Sequence, residues 1–166
     1  EAYQLYMRGR YSFAKRTKEE MPRAIEYFRQ AINLDPKFAL AYARMAETYA
    51  SLPAYPYVSP NEAFPQAKAA AQKALEIDPT LAEAHTFLAY SLVIYDWNWT
   101  EAERSFKRAI ELVPNNAAPH FRYGQVYLAP TRRFDEALAE VSRGLDQEPL
   151  DINMGGTLAS LYASRG

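Results

Sequence analysis

Four prolines divide this chain at matched places: Asp35-Pro36, Asp78-Pro79, Val113-Pro114 and Glu148-Pro149. Twelve residues before each stands an alanine (Ala24, Ala67, Ala102 and Ala137). Five before each stands a second small residue (Ala31, Ala74, Ala109 and Gly144). The interval is 43 residues from Pro36 to Pro79, then 35 and 35 again. A repeat of this length implies stacked supersecondary units, because one such unit cannot bury its apolar face alone.

Each unit reads as two helices. In the third, Ala82, His85, Leu88, Ala89 and Leu92 recur at spacings of three and four, which marks one face of a first helix. Asp96-Trp97-Asn98 breaks it. Thr100-Glu101-Ala102-Glu103 reads as a capping box for a second helix, whose buried stripe is Ala102, Phe106, Ala109 and Ile110. Pro114 ends that helix, since it has neither the N–H nor the room to continue. Unit two repeats the pattern with Ala41, Tyr42, Met45, Ala46 and Tyr49, then Ala67, Ala71, Ala74 and Leu75. Unit four does so with His120, Tyr123, Gly124 and Tyr127, then Phe134, Ala137, Val141, Gly144 and Leu145. Unit one follows with Leu5, Tyr6, Gly9 and Phe13, then Ala24, Phe28, Ala31 and Ile32. A last helix carries Met154, Leu158, Ala159 and Tyr162. Six glycines against 13 tyrosines and eight phenylalanines suit large-into-small packing between helices.

This pattern resembles the tetratricopeptide repeat family. The small position of the family's first helix is filled by Gly9, Ala46, Ala89, Gly124 and Ala159. The alanine of the second helix and the closing proline are present in all four complete units. The resemblance covers nearly the whole chain and implies an all-α, right-handed superhelical solenoid of antiparallel helix pairs, about four and a half repeats and nine helices. The units are 1–36, 37–79, 80–114, 115–149 and a half unit 150–166. The chain starts at Glu1 and stops within a unit, so it reads as a segment of a longer protein. Units three and four carry one extra residue in the inter-helix turn. Unit two carries nine, in the proline-rich, aromatic stretch Leu52–Pro60, and Ser59-Pro60-Asn61-Glu62 reads as the cap of the helix that follows. The insertion near 53–60 suits a structural plug, with Tyr55 and Tyr57 to bury, as well as it suits a ligand-contacting loop.

The run Leu5–Tyr11, the long turn of unit two and Tyr95-Asp96-Trp97-Asn98-Trp99 resemble a bacterial subtype. That subtype forms the C-terminal sensor or interaction region of membrane-anchored winged-helix regulators, adenylate cyclases and Ser/Thr kinases. The resemblance implies that any catalytic or DNA-binding part, and any membrane anchor, lies upstream.

Little in the residues suggests chemistry. There is no cysteine, which excludes disulfides, thiolate metal sites and cysteine nucleophiles. The two histidines, His85 and His120, fall at equivalent repeat positions and read as packing residues; no ligand set completes a metal site around them. Gly155-Gly156 sits in helical register and lacks the Lys-Ser/Thr of a phosphate loop. The segment is therefore expected to have no enzymatic activity and no cofactor. A net charge of −1 does not favour nucleic acid, and the clusters Lys15–Lys18 and Arg132-Arg133 read as exposed turns. No apolar run approaches the roughly 20 residues of a membrane helix, so this segment is not expected to contact a membrane.

In the family, the concave face is lined by first helices, and a protein or peptide is the expected partner. The resemblance places Tyr6, Met7, Arg10, Leu40, Arg44, Glu47, Glu83, Thr86, Phe87, Tyr90, Ile94, Phe121, Arg122, Gln125, Leu128, Asn153, Thr157 and Ser160 there. Of these, Arg44, Glu47, Phe87, Tyr90, Ile94, Phe121, Arg122 and Gln125 form the expected peptide site. Phe87, Tyr90 and Phe121 would be exposed anchors, unless the superhelix twists enough to pack them against neighbouring repeats, and Arg44 and Arg122 would select acidic groups. Arg10, Arg44, Glu83 and Phe87 occupy the places where the family's carboxylate clamp needs Lys and Asn, so capture of C-terminal Glu-Glu-Val-Asp is not expected. A small-ligand sensor and a structural or dimerisation spacer are the alternatives. Met154, Leu158, Leu161 and Tyr162 of the last helix are expected to be partly exposed and to promote self-association.

Overall fold

The computed structural model of the chain describes residues 1–55 and 58–165. Pro56 and Tyr57 of the insertion lie outside the described residues. Among the described residues there are nine α-helices and no strand. They are α1 (Ala2–Lys15), α2 (Glu20–Leu34), α3 (Ala39–Ser51), α4 (Pro60–Ile77), α5 (Ala82–Ser91), α6 (Trp99–Leu112), α7 (Ala117–Arg122), α8 (Phe134–Gln147) and α9 (Ile152–Arg165). Helices α1 and α2, α3 and α4, α5 and α6, and α7 and α8 pack as consecutive pairs. The first helices also touch one another, α3 on α5 and α5 on α7. This is a solenoid, in which each unit packs chiefly on its neighbours.

The Ala–small–Pro rhythm has a direct physical reading here. Asp35, Asp78, Val113 and Glu148 cap the C-termini of α2, α4, α6 and α8, each just before its proline. Their N–H groups donate to the carbonyls of Ala31, Ala74, Ala109 and Gly144. The earlier alanines Ala24, Ala67, Ala102 and Ala137 have no exposed surface, as expected where two helices approach too closely for a larger side chain.

Helix starts differ in part from the sequence reading. Ser59 caps α4 by accepting from the Asn61 N–H at 3.2 Å, with Pro60 at the first helical position. The box expected at Thr100 and Glu103 is instead set two residues earlier. Asn98 accepts from the Glu101 N–H at 3.3 Å and donates back to its carboxylate at 3.0 Å. An asparagine caps as well as a threonine, and this choice frees Glu103 for another role. Glu103 accepts from Tyr123 and Tyr127 at 2.9 and 3.1 Å and pairs with Arg133 at 2.7 Å, which ties α6 of the third unit to the fourth. Hydrogen bonding from Arg133, helped by Lys107 and the two tyrosines, holds its carboxyl down at about 2. Arg133 is therefore not a bare solvated turn residue; it also pairs with Glu136.

The extra residue of units three and four does not lengthen the inter-helix turn. Instead α5 opens into a π turn over Leu92–Asp96, and α7 into one over Tyr123–Leu128. A π turn absorbs one added residue inside a helix. Trp97 then adopts a left-handed conformation (φ 57°) and is exposed. Trp99, 6.3 Å away, opens α6 and packs 5.7 Å from Tyr127.

The main core runs from Ala46 to Leu161 across the last four units. Its fully buried centre includes Phe106, Leu128 and Val141. A smaller cluster around Tyr6, Phe28, Ile32 and Ala41 joins units one and two. The last helix is better covered than expected: Met154 and Leu161 are buried in the main core, and the Met154 sulfur sits close against Gly144. Leu158 is half-buried and Tyr162 exposed.

Candidate functional site: the face of the first helices

The face built by α1, α3, α5, α7 and α9 carries a row of contacts, each joining neighbouring units. At its first station Arg44 on α3 pairs with Glu47 at 2.7 Å and, across to α5, with Glu83 at 2.6 Å. Burial works against the Arg44 charge, but the two carboxylates outweigh it and hold the guanidinium above its ordinary value. Burial also pushes the Glu83 carboxyl up, against the pull of Arg44. Arg44 was expected to be free to select an acidic partner. It is already paired through both terminal nitrogens with acids of its own chain, while its Nε and one Glu83 carboxylate oxygen are buried without a hydrogen-bond partner among the described residues. Beside it lies a hollow of about 330 Å³ between Leu40, Glu83, Phe87, Asn116 and Pro119.

At the second station Tyr90 on α5 meets Arg122 on α7. The guanidinium lies 5.5 Å from the Tyr90 ring centre and 5.7 Å from that of Phe121. Tyr90 also stands edge-on to Phe64 at 5.6 Å. Phe87 and Phe121 are buried, at 7% and 8% exposure, so of the two placements the sequence leaves open they take the packed one and are not open anchors. The twist of the array turns them into neighbouring units, where they join the main core. Leu128 joins them there, and Thr86 is buried as well. Leu40 and Ile94 remain exposed, at 38% and 42%. At the third station Gln125 donates to Thr157 of α9 at 3.2 Å, with Asn153 and Ser160 exposed nearby.

The insertion of unit two borders the second station. Leu52 is buried with Met21, Ile25 and Ala63, and Tyr55 and Val58 pack on that cluster. The Tyr55 hydroxyl donates to the Arg16 carbonyl at 2.6 Å. Pro53, Ala54 and Tyr55 then wall a hollow of about 390 Å³ against Phe64, Tyr90, Ile94, Arg16 and Arg122. The insertion is thus a structural strut on one side and part of the face on the other. Arg16 as a member of this site was not legible in the sequence, where it reads as one of four turn residues.

The histidines lie apart from this row. His85 Nε2 donates to the Pro79 carbonyl at 3.0 Å, and burial chiefly lowers its pKa. His120 repeats that contact with Pro114 at 2.9 Å and adds a 2.6 Å contact from Nδ1 to Glu140, which in turn holds Arg143. Each ring thus ties its first helix to the turn that closes the preceding unit. Both His120 nitrogens face acceptors, which only the doubly protonated ring can satisfy. Glu140 accordingly raises its pKa, against burial and the nearby Arg143. The folded state therefore binds this proton more tightly than the unfolded chain. The stabilisation is complete below the unfolded value near 6.5 and is lost as pH rises through the higher folded value. His85, whose pKa burial lowers, contributes with the opposite sign, so the difference is what isolates His120: the urea midpoint of the parent relative to that of His120→Gln should fall between about pH 6 and about pH 8. Equal slopes in the two proteins would assign the pH dependence elsewhere.

Comparison with known proteins agrees with this geometry. Family models described as tetratricopeptide repeat match residues 98–161 and 6–38. An Hsp70-Hsp90 organizing protein of Triticum aestivum is 26% identical over 134 residues, covering 80% of this chain and 20% of that protein. The chain thus spans about a fifth of the length of that relative. A thermophilic TPR protein of Thermus thermophilus superposes with a TM-score of 0.80 at 22% identity, covering 98% of this chain and 82% of the other. YrrB, a TPR protein with an unusual peptide-binding site, gives 0.57 at 23% identity over 99% and 78%. The first TPR of Spaghetti (RPAP3), solved with the HSP90 peptide SRMEEVD, gives 0.60 at 20% identity over 83% and 93%. At these identities the structures speak for the fold alone.

Proposed function

The chain belongs to the tetratricopeptide repeat family, and on that premise we propose that it is a protein–protein interaction module holding a peptide segment or helix along the face of its first helices. One observation carries the reading. At the middle of that face an arginine without a carboxylate partner among the described residues, Arg122, lies over the aromatic rings of Tyr90 and Phe121. Tyr90 and the exposed Ile94 line the same hollow as this arginine. Arginine and aromatic side chains so placed are the usual anchors of binding energy. Arg44, Glu47, Phe87 and Phe121 give this face its shape, and Gln125 extends it toward α9. The peptide-bound relative among the structural neighbours supports the same reading by analogy. The runs at Leu5–Tyr11 and Tyr95–Trp99 support a place as the regulatory or interaction part of a larger bacterial signalling protein.

The test is selection of random linear peptides, displayed on phage, against the whole chain. Recovered peptides should bind the Tyr90→Ala, Arg122→Glu double variant at least about tenfold more weakly, with unchanged helicity by circular dichroism. Undiminished binding would show that the peptides use another surface.

A further inference from the structure

Most of the basic side chains on this molecule are answered by its own acids. Arg44 has Glu47 and Glu83, Arg133 has Glu103 and Glu136, Lys68 has Asp96, and Arg29 has Glu26. The hollow beside the insertion is an exception. Two arginines line it, Arg16 from the turn after α1 and Arg122 from α7, and no acidic side chain does. Neither has a carboxylate partner among the described residues. Arg16 reaches Ser51 at 3.4 Å and lies 4.0 Å over the Phe13 ring; Arg122 lies over Tyr90 and Phe121. Stacking leaves the edge of a guanidinium, with its N–H donors, available to a planar anion.

The walls between the two arginines are apolar: Pro53, Ala54, Pro60, Phe64, Tyr90 and Ile94. The insertion fixes the Arg16 side of the hollow. Arg16 sits in a left-handed conformation (φ 53°), and its carbonyl is held by the Tyr55 hydroxyl, so the insertion positions the turn that carries it. The two arginines come from the first and fourth units, and only the array and its insertion bring them to one hollow.

From this charge pattern we infer that the hollow seats an acidic residue of the bound peptide, a Glu or Asp carboxylate taken up by Arg16 and Arg122, with an apolar neighbour of that residue against Tyr90 and Ile94. The inference rests on the groove reading and adds the chemistry of the partner: an extended or helical segment in which an acid stands beside an aliphatic or aromatic residue. It also gives the insertion a role in selection. A basic or neutral segment would leave two cations desolvated without an anion, which disfavours it.

The peptides recovered by the selection above provide the test, measured by fluorescence polarisation on the full chain. They should be enriched in acidic residues flanked by apolar ones. Arg16→Gln and Arg122→Gln should each weaken binding at least about tenfold, because each removes a charge-assisted hydrogen bond. Arg104→Gln, a charge loss on the exposed surface of α6, should leave binding unchanged. Binding should weaken with added salt. If the peptides lack acids, or bind Arg16→Gln as tightly as the parent while still failing on Tyr90→Ala, Arg122→Glu, the hollow is not the acid's seat and the groove reading stands. If no peptide is recovered, both readings fall. Melting temperatures of the Gln variants within a degree or so of the parent would show that any loss is not unfolding.

Discussion

Phe106→Ala should lower the free energy of unfolding by about 3–5 kcal/mol. Phe106 has no exposed surface and is the largest fully buried side chain of α6. Its ring lies 5.6 Å from Tyr123, which stacks at 5.5 Å on Tyr127. Both tyrosine hydroxyls hold Glu103, so the ring supports a polar lock as well as a core. Removing it leaves a cavity between helices already fixed by neighbours on both sides, and such sites cannot collapse fully. Chemical denaturation read by circular dichroism measures the loss. A change below about 1 kcal/mol would mean that the core of units three and four repacks freely, contrary to the close fit described.

Gly124→Ala should also destabilise, although glycine-to-alanine in a helix normally stabilises by about 0.5–1 kcal/mol. A Cβ at Gly124 would stand 2.7 Å from a Val141 methyl and 3.0 Å from the Ala137 carbonyl oxygen. The carbonyl belongs to the backbone of α8 and cannot step aside, so α7 and α8 must separate, at a cost of about 1–3 kcal/mol. Gly155→Ala is the internal control. Its Cβ would meet nothing within 4 Å, so the same substitution in α9 should raise stability by up to about 1 kcal/mol. Thermal melts of the two variants should move in opposite directions. A shift of the same sign in both would contradict the close approach of the helices at Gly124.

That contrast shows what could be read from the chain beforehand. Gly124 stands in phase with Gly9, Ala46 and Ala89, and a residue that must be small in every unit is visible as periodicity. Pro36, Pro79, Pro114 and Pro149 were legible for the same reason, since each ends a helix by local sterics alone. The site was less legible because it depends on relations between units. Whether Phe87 and Phe121 are open or buried turns on the twist from one unit to the next, which no single repeat encodes. That Arg44 is neutralised depends on Glu83, 39 residues away. Arg16 enters the site only because the insertion bonds its turn. The capping choice at Asn98 over Thr100 was a local ambiguity, since both residue types can cap and both have a glutamate three residues on. The π turns were hidden too. An extra residue in a count of 35 does not say whether a loop or a helix absorbs it.

The placement of Trp97 and Trp99 has a practical consequence for spectroscopy. These are the only two tryptophans in the chain, and they sit two residues apart at the junction of α5 and α6. Trp97 faces solvent and Trp99 packs on Tyr127, so intrinsic emission reports chiefly on the seam between units three and four. Ellipticity at helical wavelengths, by contrast, averages over every unit. In a linear array whose interfaces differ, the two signals coincide only if the whole chain melts as one. Units one and two are joined through a separate small cluster. Emission is therefore blind to early loss at that end, and a fluorescence transition taken alone overstates the integrity of the array.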